Sequence, residues 1–361
     1  MHTITIDDLV LPASWDDASD AGETFRAAAA HADRVGDARY GAGVTTLTLP
    51  ERLAAWQSTD AERVERAVVR AGDRVIAASA VWLPQLESTD IGDHMLTLEP
   101  DLPDADRRAI LEALLDHVER IAAAYGRTTL MGGSPARADG ALTAATGFGA
   151  VDPDEPEAAA LIARGYALEQ VYRMSVADLR ELEPTLDERW SDASAAAAQA
   201  GYDTVAWSGP TPAEHRSAMR TLHERMSTDA PVGGLALEPE VWSDERLAEF
   251  ERSKTEGGRT MRTVVARHIA SGELAGFTSL FVGSGDVARQ HDTLVSRDHR
   301  GRRLGMLLKL ANLVQLRDHH PTHPRVSTMN AEENRHMLSV NEATGFLPVG
   351  YEAVWQRKDA A

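Results

Sequence analysis

Apolar positions along this 361-residue chain recur with two periods, one helical and one of strict alternation, and the two alternate in blocks. In the first half a helical stretch near 20–35 precedes two strand-like segments, ERVERAVVRAG and DRVIAASAVWLP, near 62–84. A third strand is predicted at 93–99. A long amphipathic helix follows over about 104–124, with Ile110, Leu114, Leu115, Val118 and Ile121 at helical spacing. A strand at 127–131, a helix at 158–164 and a strand-like segment at 165–176 end the half. The polar stretch RELEPTLDERW, about 180–190 with Pro184, reads as a linker and the start of a helix.

The second half repeats that order. Helices are predicted near 212–227 and 238–255, the second preceded by the turn-like DAPVGG at 229–234. Strands at 260–269 and 274–282 are joined by a turn, and GSGD at 283–286 leads into a strand ending at Val295. A helix at 303–318, a strand at 325–329, a helix at 334–343 and a strand at 347–356 complete the chain. Each half is an antiparallel strand group, then a crossover helix and strand, then a helix and strand. The expected class is α+β, with two similar units at 1–180 and 181–361.

Composition narrows the functional classes. The chain is 43% hydrophobic with a formal net charge of −19. Such a surface repels nucleic acid and anionic membrane, so neither is expected as a partner. It suits a cationic acceptor such as an amine, or serves solubility alone. There are no cysteines, which removes disulfides, thiolate metal sites and thiol catalysis together. The first residues, MHTITIDDLV, lack a signal-peptide pattern, and no apolar run approaches a membrane span, so a soluble cytoplasmic protein is expected. The oligomeric state stays open.

Against this acidic background one segment is basic: QHDTLVSRDHRGRRLGMLLK, Gln290 to Lys309. A strand (Thr293, Leu294, Val295) enters a loop carrying Arg300, Gly301, Arg302 and Arg303, and a helix opens at Leu304 and Gly305. Unpaired N–H groups in a first helical turn converge on one point, where the helix dipole adds positive potential. That layout binds phosphate, and glycines let the backbone approach closely.

The second half resembles the GNAT superfamily of acyl-CoA-dependent N-acyltransferases, and the whole chain resembles its tandem two-domain members. Three features carry the resemblance. VSRDHRGRRLGMLLK matches the pyrophosphate loop Arg/Gln-x-x-Gly-x-Gly/Ala, with Arg300 first, Gly305 last, and Arg303 where the middle glycine is usual. Asn334 precedes Asn341 by seven residues, where relatives have Asn and then Tyr. Gly345-Phe346 and a closing strand follow. The resemblance covers about 200–361. It implies acetyl-CoA as cosubstrate and a small amine as acceptor, with two mixed, mostly antiparallel sheets flanked by helices. The equivalent first-half segment, LEPDLPDADRRAILEALL, lacks glycine and sets Asp101, Asp104 and Asp106 where phosphates would sit. It therefore reads as a degenerate unit that is structural or shapes an acceptor pocket.

By the same resemblance, backbone groups of Leu294 and Val295 would pair with the pantetheine arm, and the Val295 N–H would face the thioester oxygen. Asp292 and His291 are the candidate bases, with strand alternation predicting that they point to opposite faces. Gln290 could position an acceptor. Asn341 stands at the usual tyrosine position; an amide cannot protonate a thiolate, but its NH₂ can hydrogen-bond sulfur. Asn334 would contact the cofactor arm or simply cap its helix. Asp229 would attract a cationic amine or form a turn. His319, His320 and His323 are broken up by Pro321 and Pro324 and read as a loop, so no metal is expected. Trp207, Trp242 and Trp355 read as core or interface aromatics. A non-catalytic acyl-CoA-binding or scaffold protein is the competing reading.

Overall fold

The computed structural model describes residues 4–137 and 139–358. The first half contains β1 (Ile6–Asp8), α1 (Asp20–Tyr40), α2 (Leu49–Trp56), β2 (Glu62–Ala71), β3 (Arg74–Pro84) and β4 (Ile91–Leu98). It continues with α3 (Asp104–Ala124), β5 (Thr129–Ala136), the small pair β6 (Leu142–Thr143) and β7 (Ala150–Val151), α4 (Pro156–Ala163) and β8 (Ala167–Asp178). The second half runs through α5 (Leu179–Gln199), β9 (Tyr202–Ser208), α6 (Arg216–Asp229), α7 (Asp244–Thr255), β10 (Thr260–His268), β11 (Leu274–Val282) and β12 (Val287–Val295). It ends with α8 (Leu304–His319), β13 (Arg325–Ala331), α9 (Arg335–Ala343) and β14 (Leu347–Lys358). The class is α+β, as expected: a mixed, mostly antiparallel sheet flanked by nine α-helices among the described residues.

The two halves share one sheet of twelve strands, in the order β1-β2-β3-β4-β5-β14-β8-β13-β12-β11-β10-β9. The last strand of each half crosses to the other. β8 pairs antiparallel with β13, from Arg325↔Asp178 to Ala331↔Tyr172. β14 pairs antiparallel with β5, from Tyr351↔Ala136 to Lys358↔Thr129, and with β8 on its other edge. Among the described residues only β4–β5 and β12–β13 are parallel, and the helices α3 and α8 make those two crossovers.

β11 is buried at every position, because α8 covers one face of the sheet while α6 and α7 cover the other. A strand covered on both faces reads as a continuous apolar run, which LAGFTSLFV does. In the first half Leu114, Leu115 and Val118 of α3 are buried against the sheet, beside Trp355 from β14. Burying each such aliphatic side chain contributes about 1.5–3 kcal/mol.

Three expectations change. The stretch at 180–190 is no linker: α5 starts directly after β8, capped by Asp178, whose side chain accepts from the Arg180 N–H at 2.9 Å. Pro184 removes one hydrogen bond near the helix start, while Leu182 and Leu186 stay buried. The helix expected from 238 begins at Asp244 behind the Ser243 cap, and residues 230–243 cross the sheet face as an irregular strap. The strap is held by Gln356, which donates to the Gly234 carbonyl at 3.1 Å and accepts from the Ala236 N–H at 2.8 Å. Finally, α2 and β9 were not anticipated, although Thr48 and Glu51 form a capping box. No helix among the described residues is long and apolar enough to cross a membrane.

Lys309 lies 1% exposed on α8, with its ammonium 5.0 Å from the Phe346 ring centre. Burial pushes its pKa from the ordinary 10.5 down to about 7. Between those values the unfolded chain binds more protons than the folded one, so the site's contribution to stability rises with pH over that window and is level below it. Lys309→Met should therefore stabilise the protein most at pH 6–7. Relative to wild type, its advantage should shrink by on the order of 2 kcal/mol by pH 9, read by urea unfolding at both values.

Candidate active site

β11 and β12 pair from Gly276↔Val295 to Thr278↔Thr293 and again at Leu280↔Gln290, so one extra residue of β12 lies between. The result is a β-bulge at His291 and Asp292, opposite Ser279. The expectation that the two side chains point to opposite faces is thereby overturned. The bulge interrupts the alternation, and His291 Nδ1 lies 3.2 Å from Asp292 Oδ2.

Both side chains line one cavity of about 420 Å³. α6 contributes His223 and Met226, α7 contributes Phe250 and Lys254, and the strap contributes Glu240 and Trp242. The first half adds Thr59, Ala61 and Glu62, where the chain enters β2. Trp242 is therefore a wall of the cavity as well as a core residue, stacked on His223 with ring centres 4.3 Å apart. Burial pushes His223 down to about 4, so it is neutral near pH 7. Burial alone would raise the Asp292 carboxyl, but His291, His223 and Lys254 together hold it below the ordinary range. Gln290 is turned into the sheet, donating to Thr278 Oγ1 at 2.6 Å and to the Ser279 carbonyl at 2.8 Å.

Beyond the bulge the strand opens away from its parallel neighbour. β12 pairs with β13 only at Val287, Ala288 and Arg289, so residues 290–295 have a backbone edge that β13 does not cover. The Ser296 N–H donates to the Ala275 carbonyl at 2.9 Å. By antiparallel alternation Leu294 then faces β11, while the N–H and C=O of Val295 face the opening. Arg300 Nε reaches that carbonyl at 3.1 Å. A side chain at Gly276 would put its Cβ 2.3 Å from the Leu294 carbonyl oxygen, so glycine is needed there.

The loop that follows is a backbone cradle. Gly301 has φ +80°, and Arg303, the residue before α8, is left-handed at φ 56°, ψ 22°. The glycine usual at the Arg303 position thus has a physical reason: the backbone there is left-handed. No side chain caps α8, so its first-turn amides face outward unshared. A Cβ at Gly305 would meet only Val340 Cγ2, at 3.9 Å. Asp229, at the end of α6, anchors the loop through Arg297 Nε at 2.7 Å and Arg300 at 3.2 Å. Arg302 donates to the Asp298 carbonyl at 2.8 Å. The Arg303 side chain is exposed, with no hydrogen bond or ion pair among the described residues, while its carbonyl accepts the first helical bond from the Leu307 N–H at 3.2 Å. Amides, spare guanidinium charge and an open strand edge together fit a pyrophosphate with an extended arm.

Asn334 caps α9, accepting from the Met337 N–H at 3.3 Å. Asn341 is 1% exposed, and its Nδ2 donates to Asn330 Oδ1 at 2.6 Å. His323 is tied to the Gly283 carbonyl through Nε2 at 2.8 Å. Among the described residues the first half offers no comparable loop. Its Arg107 is engaged with Glu157 at 2.7 Å and with the Glu99 carbonyl at 2.8 Å. β4 and β5 stay paired over five residues, with His94 lying across Gly132 and bonded to Tyr166 at 3.0 Å.

Neither a family model nor a curated protein matches the sequence. Solved structures do match. A tandem GNAT protein from the clavulanic acid biosynthesis pathway is 26% identical, with a TM-score of 0.72 and 99% of each chain covered. A GCN5-related N-acetyltransferase from Sphaerobacter thermophilus is 12% identical at a TM-score of 0.60, covering 98% of this chain and 95% of that one. A GCN5-related glucosamine N-acetyltransferase region of a fungal multi-domain GH3 β-N-acetylglucosaminidase is 12% identical at 0.56, over 98% of this chain and 38% of that one. The chain has the tandem GNAT fold, with both halves built on the N-acetyltransferase plan.

Arg303→Gly should raise the free energy of unfolding by about 1 kcal/mol, since a left-handed non-glycine residue costs roughly 1–2 kcal/mol and glycine returns part of that as chain entropy. Arg303→Val should lower it. Urea unfolding of the two variants checks the pair.

Proposed function

We propose that this protein is an acyl-CoA-dependent N-acyltransferase that moves an acetyl group from acetyl-CoA to the amine of a small acceptor by direct attack in a ternary complex. The observation that carries the reading is β12 itself. Along one strand come a His–Asp pair lining a cavity, then an uncovered backbone edge, then a left-handed entry into an uncapped helix. In this reading residues 181–361 hold the cosubstrate, and residues 1–180 complete the acceptor pocket.

Val295, Arg300, Gly301, Arg302, Arg303, Leu304 and Gly305 would hold the cosubstrate, through backbone amides and guanidinium groups. Leu294 keeps that edge in register, and Asn334 shapes the far side by capping α9. When bound, acetyl-CoA supplies the activated acyl group. The Val295 N–H donates to the carbonyl oxygen, where charge develops. Asp292, held ionised, orients His291, and His291 takes the amine proton. Holding amine and carbonyl together accounts for much of the rate, worth roughly 7–11 kcal/mol in well-oriented cases. Asn341 supports the wall through Asn330 and can give its remaining N–H to sulfur. An amide supplies no proton, so water is the acid.

The engagement of Asn341 favours one competing reading, a protein that binds acyl-CoA without turnover. Acetyl-CoA titration and CoA-SH release against an amine panel separate the two. Asp292→Ala and His291→Ala should each lower kcat by about 10²- to 10⁴-fold while acetyl-CoA still binds. Binding with no release in wild type would favour the carrier. Equal acetyl-CoA binding by the double variant Arg300→Ala/Arg303→Ala would sink the phosphate-loop assignment.

A further inference from the structure

The cavity at the His291–Asp292 pair is built by both halves of the chain, and its charged groups are not equally occupied. Arg246 is committed to Glu87, contacting both carboxylate oxygens at 2.9 Å, and lies 3.5 Å from Glu240. Glu240 also accepts from Trp242 Nε1 at 2.8 Å. Glu249 accepts from the Asp60 N–H at 2.8 Å, clamping the first half's entry strand to α7. Two charged side chains of the lining are left with no hydrogen bond or ion pair among the described residues: Glu62, from the first half, and Lys254. Lys254 lies over the Phe250 ring at 5.4 Å, where the ring face offsets part of its charge. Glu62 makes no such close contact; crowding by protein raises its carboxyl above the ordinary range, outweighing the attraction of Lys254 and Arg66, which act on it from a distance.

The cavity is thus mixed in character. In the transferase reading the reacting amine belongs at His291 and Asp292, Trp242 and Phe250 supply aromatic faces, and Glu62 is the exposed carboxylate of the lining. Carboxylates outnumber cations around it, four to two, among Glu62, Glu240, Glu249, Asp292, Arg246 and Lys254. An acceptor with a distal carboxylate would meet that excess of like charge. An acceptor with a distal cation would find in Glu62 an anion whose partial desolvation strengthens the pairing.

Building on the transferase reading above, we propose that Glu62 is a specificity-determining residue and that the acceptor is a dicationic amine, one amine at His291 and Asp292 and a second ammonium or guanidinium at Glu62. The first half, which lacks a phosphate cradle of its own, then selects the acceptor for the site in the second.

The test compares three amines of matched length, 1,4-diaminobutane, 1-aminobutane and 4-aminobutanoate, together with a rigid series, 1,4-bis(aminomethyl)benzene, benzylamine and 4-(aminomethyl)benzoate. CoA-SH release gives kcat/KM, and calorimetric titration in the presence of CoA gives binding without turnover. Wild type should prefer the diamine over the monoamine at least tenfold in one series and disfavour the amino acid in both. Glu62→Gln should shrink the diamine preference to within about twofold. Glu62→Lys should reverse the order in favour of the amino acid. Release from all amines with no diamine preference, or a preference that survives Glu62→Gln, would overturn the proposal and leave the transferase standing. Diamine binding that needs Glu62, with no CoA-SH release, would uphold the selection and overturn the transferase. Absence of both binding and release would overturn both.

Discussion

β14 enters the sheet between β5 and β8, and its backbone hydrogen bonds join the end of the chain to a strand laid down some two hundred residues earlier. β8 makes the reciprocal crossing to β13. Sheet registers are set residue by residue, so the exchange holds the two halves at one relative position. Glu249 on α7 can then clamp the Asp60 N–H, and Glu62 can share a cavity with His291. A hinged pair of domains joined by a linker could not hold those contacts in place. Direct continuation of β8 into α5, without slack, enforces the same geometry.

Within that frame, the geometry of the candidate site in the second half depends on one inserted residue. Without the bulge, His291 and Asp292 would lie on opposite faces of β12. With it they form a pair, and the strand's remaining edge turns away from β13. The first half follows the same topology but keeps β4 and β5 paired over five residues, with Arg107 committed to Glu157 and the Glu99 carbonyl. Two copies of one fold therefore differ at the same place: one crossover is open and basic, and the other is closed and acidic.

Much of the second half was legible because its signals are local. The buried run of β11, the period of α8 and the glycines of the loop depend on neighbours only a few residues away. Even the departure at Arg303 was visible, although its meaning came from the left-handed φ/ψ. Residues 238–243 of the strap read as the start of α7, because Glu238 and Pro239 resemble a helix entry, while the contacts that hold the strap, Glu238 to Ser88 and Ala236 to Gln356, are remote in sequence. His223, Phe250 and Glu62 carried no motif at all. Each is ordinary for its own element, and their convergence is a property of the packing.

By itself the sequence determined the class of fold, the order of its elements, the basic loop at 297–303 and the acidity of the rest, since composition and short-range periodicity act within one or two turns or strands. Only the tertiary structure decided that the halves exchange their last strands, that His291 and Asp292 face the same way, and that Glu62 reaches the site. Those outcomes depend on strand register and on a single bulge, which couple residues far apart along the chain and leave no periodic trace in either partner.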